Sequence, residues 1–118
     1  MKINFRDQEF DLHYGMRIYI IYENIMGKGL GFEELQSYTS VISLFYAAVV
    51  SSLQYNKLDS NVSYDEFIDW LDEDSAVKIK DFTQWFMSNV TAQSDKIDEA
   101  YEKELKETKS SKSSKSKN

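Results

Sequence analysis

Ile3 and Phe5, then Phe10, Leu12 and Tyr14, alternate with polar residues in two runs separated by Arg6-Asp7-Gln8-Glu9. A period of two sends every second side chain to the same face, so this stretch reads as a β-hairpin with one buried side. The separating residues contain neither Gly nor Asn, which leaves the turn type open. Gly15 ends the alternation. From Met16 to Met26 the period lengthens, with Met16, Tyr19, Ile20 and Glu23 at helical spacing, and a first helix is predicted there. Gly27, Gly29 and Gly31 end it.

From Phe32 to about Tyr55 the apolar residues Leu35, Tyr38, Ile42, Phe45, Tyr46, Val49 and Leu53 trace one helical face, and the middle of the segment is apolar nearly all round. Such a helix belongs at the centre of a domain. A polar connection, Asn56–Val62, leads to Ser63-Tyr64-Asp65-Glu66. This is a capping-box pattern, in which the Ser63 hydroxyl and the Glu66 carboxylate each satisfy a free backbone N–H. A short helix runs from there to about Asp72. Asp74 or Ser75 starts the last helix, which carries Ile79, Phe82, Trp85, Phe86 and Val90, and later Ile97, Tyr101 and Leu105. Its second half is thinly apolar, with acids and lysines alternating from Asp95 to Lys106. Beyond Thr108 the Lys/Ser repeat is too polar to bury anything and reads as disordered. The predicted class is α+β, mainly α-helical: an N-terminal β-hairpin and about four helices in a single domain over 1–107, then a disordered Lys/Ser tail over 108–118.

The 118 residues suffice for one hydrophobic core, and an aromatic share of 14% supplies it. Cysteine is absent, which removes disulfides and thiolate chemistry and fits a reducing compartment. Lys2, Arg6, Asp7 and Glu9 interrupt the first ten residues, unlike a secretory leader. The longest apolar stretch, Val41–Val50, is about half of the roughly 20 residues a membrane helix needs. A cytoplasmic protein with no membrane contact is expected. Net charge is −6, but four lysines and no acid lie beyond Lys106-Glu107, so residues 1–107 carry 10 basic and 20 acidic groups. A field of that sign repels phosphate backbones, and no nucleic-acid partner is expected.

Candidate chemistry is sparse. Asp59–Phe67 has the look of a calcium loop entering its exit helix. Counting back from Glu66, however, puts Tyr55 and Lys57 where oxygen ligands belong and Ser60 where the sharp turn needs Gly. His13 is the only histidine and is out of phase with Leu12 and Tyr14, so it reads as a solvent-facing strand residue. Asp65, Asp69 and Asp72 share a helix face without converging partners. Gly27-Lys28-Gly29-Leu30-Gly31 lacks the spacing and ending of a phosphate loop. No catalytic residue, cofactor or metal is expected. Tyr64, Phe67, Trp70, Phe82, Trp85 and Phe86 read mainly as core, and the apolar residues a small domain leaves uncovered become docking surface for a partner helix.

The hairpin ending in Phe10-Asp11-Leu12-His13-Tyr14-Gly15, the helix running directly out of it, the Gly-broken loop, the long apolar helix ending near Leu53, Val62-Ser63-Tyr64-Asp65-Glu66-Phe67-Ile68-Asp69-Trp70-Leu71 and the closing helix resemble, over residues 1–106, the tail assembly chaperones of long-tailed bacteriophages. The resemblance implies a non-enzymatic protein of the bacterial host cytoplasm, made by a phage or prophage. Such a protein coats the tape measure protein until tail tube subunits replace it, and self-association is open. It also implies a longer frameshifted product, for which codons of Lys117-Asn118 ending a run of A would suit slippage. No family site transfers residue by residue. From helix position alone, Trp85, Phe86, Val90, Ile97, Tyr101 and Leu105 are the expected partner-facing stripe. The acidic body supports a competing class, a small inhibitor that mimics nucleic acid, although its carboxylates are spread over several segments.

Overall fold

The computed structural model describes residues 1–31 and 33–116, with side chains described through 105. The architecture is α+β and mainly helical: an N-terminal antiparallel hairpin followed by four helices. By internal contacts the chain divides into two compact units, Met1–Phe86 and Met87–Asn118. The expected boundary after residue 107 falls inside the second.

The alternating stretch pairs as β1 (Lys2–Phe5) and β2 (Gln8–Asp11), with Ile3 opposite Phe10 and Phe5 opposite Gln8. Ile3, Phe5, Phe10 and Leu12 are buried, the face that the period of two predicted. The turn is two residues, not the four-residue gap read from the pattern. Arg6 and Asp7 both take positive φ, 56° and 58°, the backbone of a type I′ turn, whose twist matches that of the strands. An L-residue in that region costs about 1–2 kcal/mol, and here a long-range clamp holds it. Arg6 Nε donates to Glu66 Oε2 at 2.7 Å, and Nη2 donates to Glu66 Oε1 at 2.5 Å and to the Asn61 carbonyl at 2.6 Å. Trp70 adds a second tie, donating from Nε1 to the Asn4 carbonyl at 2.7 Å while Phe5 meets its ring edge-on.

Helix α1 (Met16–Met26) ends where Gly27 adopts φ 75° and returns its N–H to the Glu23 carbonyl. It buries Ile18 and Tyr22, leaving Met16 and Ile20 exposed. Helix α2 (Tyr38–Tyr55) is shorter than the apolar pattern from residue 32 suggests. Glu34–Gln36 forms a single 3-10 turn, and Ser37, extended at φ −99° and ψ 131°, marks the true start; Phe32 itself lies outside the described residues. From Ser43 to Leu53 every residue of α2 except Tyr46 is buried, so it is the central helix that its all-round apolar character predicted. It closes through two bonds, Leu58 N–H to the Leu53 carbonyl and Lys57 N–H to that of Gln54, with Lys57 left-handed at φ 62°.

Helix α3 (Tyr64–Asp72) begins at Ser63, whose hydroxyl accepts from the Glu66 N–H at 3.1 Å. Only half of the expected capping box exists, because the Glu66 carboxylate turns to Arg6. Helix α4 (Ser75–Ser116) starts where the pattern placed it. The disordered tail expected over 108–118 has its side chains, and residues 117–118 entirely, outside the described residues. The first unit is centred on aromatics. Phe45 lies parallel to Phe82 at 4.3 Å and meets Phe67 and Trp70 edge-on at 5.3 and 5.7 Å. Pairs of this kind are worth about 0.5–1.5 kcal/mol beyond the area they bury. Phe67, Phe82 and Phe86 are fully buried, Trp70 and Trp85 half-buried, and Tyr64 lies at the surface.

Candidate functional site

The first three turns of α4 and its later turns obey one spacing. Ile79, Phe86, Val90, Ile97 and Tyr101 follow one another by seven and four residues and so share a helix face. Leu105, four beyond Tyr101, extends it. Environment divides this face. Phe86 is 3% exposed, with ring centroids 5.9 Å from Tyr14 and 6.1 Å from Tyr19. It therefore belongs to the core and leaves the partner-facing stripe. Trp85 is half-buried, edge-on to Tyr14 at 6.2 Å and tilted against Phe82 at 6.0 Å. Val90 is half-buried as well. Ile97, Tyr101 and Leu105 are 57%, 63% and 45% exposed, and every residue from Thr91 to Leu105 is exposed. The structure thus keeps Ile97, Tyr101 and Leu105 together as one open apolar stripe within the second unit and takes Phe86 out.

The remaining candidates resolve into internal pairings. In the calcium-like segment, Glu66 chelates the Arg6 guanidinium, and Asp59 sits 3.5 Å from the same group. Asp59 also accepts from the Asn61 N–H at 3.0 Å. The hydrogen bond from Arg6 holds the Glu66 carboxyl below the usual glutamate range, and the same bond raises the guanidinium. A fixed cation thus stands where a metal would need free oxygens. Among the described residues no three His, Asp or Glu side chains converge to hold a metal ion. At the glycine loop, Glu34 accepts from the Gly31 N–H at 3.0 Å and pairs with Lys28 at 3.4 Å, so a carboxylate of the chain already fills the place of an anion. Asp65, Asp69 and Asp72 are solvated.

His13 corrects its sequence reading. It lies just past β2, half-buried rather than outward-facing, stacked on Tyr55 at 3.6 Å with 8° between the rings. Its backbone N–H donates to Ser52 Oγ at 2.8 Å, which explains why a serine is buried mid-helix there. Tyr14 and Tyr19 share a 2.5 Å hydroxyl contact. Burial, then that bond, push the Tyr19 hydroxyl well above the usual tyrosine range, so it stays neutral and acts as a positioning hydrogen bond. The surface that the pattern missed is on α1, where Met16 and Ile20, one turn apart, are 61% and 57% exposed. Nothing in the spacing separated them from Tyr19. Among the described residues no helix is long and apolar enough to cross a membrane. Compared with family models, curated proteins and solved structures, the chain finds no match.

Proposed function

We propose that this protein is a tail assembly chaperone of a long-tailed phage or prophage, working in the bacterial host cytoplasm without catalysing a reaction. It docks an apolar helical face on the tape measure protein and releases it as tail tube subunits arrive. The observation that carries this reading is the open stripe Ile97, Tyr101 and Leu105 on α4. With Val90 it spans about 22 Å of helix at 1.5 Å per residue, its members seven, four and four residues apart, the kind of spacing that lays one helix against another. A tape measure chain is itself long and helical with apolar stripes, and shielding such stripes reversibly is what prevents premature aggregation. The order of hairpin, helix, Gly-broken loop, central helix and capped short helix supports the same family.

Calorimetric titration of the full-length protein with an apolar helical fragment of a tape measure protein from the same genome tests the proposal. Binding is expected, and Ile97→Ala with Tyr101→Ala should weaken it by about tenfold or more, the usual scale for truncating two central anchors, with the circular dichroism spectrum unchanged. No binding, or binding that ignores both substitutions, overturns it.

A further inference from the structure

The charges around the stripe are sorted by side. On a helix, residues three and four apart are neighbours. Asp98 lies three before Tyr101, and Glu102 lies three before Leu105 and four after Asp98, so these two acids run beside the apolar row. Glu104, three beyond Tyr101 and seven beyond Ile97, borders the other edge. Lys96 and Lys103, seven apart, fall on the opposite side of the helix, at roughly 140–160° from the centre of the stripe at 100° per residue. All of these side chains are exposed. Thr91–Leu105 holds five carboxylates and two lysines; Glu99 shares the far side with the lysines, but every charged group that borders the apolar row is an acid.

From this sorting we infer that the occupant of the stripe is a basic amphipathic helix, an apolar row edged by Lys or Arg. The inference rests on the docking reading above and adds to it the chemistry of the partner. A second copy of this chain is disfavoured by the same geometry: paired either way along the stripe, two copies bring carboxylates against carboxylates at both borders, and like charges at such flanking positions select against pairing. Lys or Arg edges bring opposite charges into the rim, where they speed encounter and fix the choice of partner.

The test uses the full-length protein and two synthetic helical peptides with the same apolar row, one edged by Lys and one by Glu, followed by fluorescence anisotropy. The Lys-edged peptide should bind roughly tenfold or more tightly than the Glu-edged one, and the gap should narrow as salt rises from about 0.05 M to about 0.5 M. Asp98→Lys with Glu102→Lys, both at exposed positions, should reverse the preference. Equal affinity for the two peptides overturns the inference and leaves helix docking intact. Binding of neither overturns both. Concentration-dependent self-association in sedimentation, lost on Ile97→Glu and competing with the Lys-edged peptide, assigns the stripe to a second copy and also overturns it.

Discussion

Phe82 and Phe86 lie on the same helix as Ile97 and Tyr101, at the same spacing, and the two pairs meet opposite fates: 1% and 3% exposed against 57% and 63%. The difference does not come from α4. It comes from what faces it: Phe45 stacks on Phe82, and Tyr14 and Tyr19 stand against Phe86, whereas among the described residues no side chain buries Ile97 or Tyr101. Helical period declares which residues share a face. Whether that face becomes core or docking surface depends on partners brought from elsewhere in the sequence.

The largest test of this contrast compares truncations of similar size. Phe82→Ala should lower unfolding free energy by about 3–5 kcal/mol, the usual cost of emptying a buried aromatic site. Tyr101→Ala should change it by no more than about 0.5 kcal/mol, as at exposed positions. Urea denaturation measures both, and comparable losses would erase the distinction between the two halves of α4. A smaller effect sharpens the buried side. The Tyr22 hydroxyl is buried without a hydrogen-bond partner among the described residues, so Tyr22→Phe should leave stability unchanged or raise it by about 1 kcal/mol, the scale of an unmet buried hydroxyl. A clear loss would reveal a partner for that oxygen.

The smallest effect concerns the surface clamp of the first unit. The Glu66 carboxyl ionises below its ordinary value of 4.5, chiefly through the hydrogen bond from Arg6. Its contribution is therefore complete above the ordinary glutamate range and is lost as pH falls through the depressed value. The melting temperature of the native protein should exceed that of Glu66→Gln at neutral pH by a modest margin that closes on acidification below the ordinary glutamate range. A gap that persists at low pH would mean that shape, not charge, holds the hairpin tip. The pair is exposed, so solvent limits its size.

Local pattern was enough for the hairpin, α1, the serine start of α3 and the start of α4, because each rests on neighbours in sequence. What escaped was set at a distance. The turn at Arg6-Asp7 lacks Gly or Asn and is held in its left-handed backbone by Glu66 and Asn61, groups that no local window contains. The same contact diverted Glu66 from its capping role. The early start predicted for α2 failed because Leu35 and Tyr38 kept the apolar rhythm while the backbone at Ser37 was extended. Of the candidate stripe, Ile97, Tyr101 and Leu105 were legible as a face, but the burial of Phe86 required Tyr14 and Tyr19, more than sixty positions earlier.

The clamp also orders events during synthesis. β1 and β2 leave the ribosome before the groups that hold them: a two-stranded hairpin is marginal by itself, and its anchors Asn61, Glu66 and Trp70 follow 55 to 66 residues later. At about 5–20 residues per second that interval is roughly 3–13 s. Phe5 spends it without the Trp70 ring that will finally cover it, so the nascent hairpin is the part of this molecule most in need of a guardian of its own.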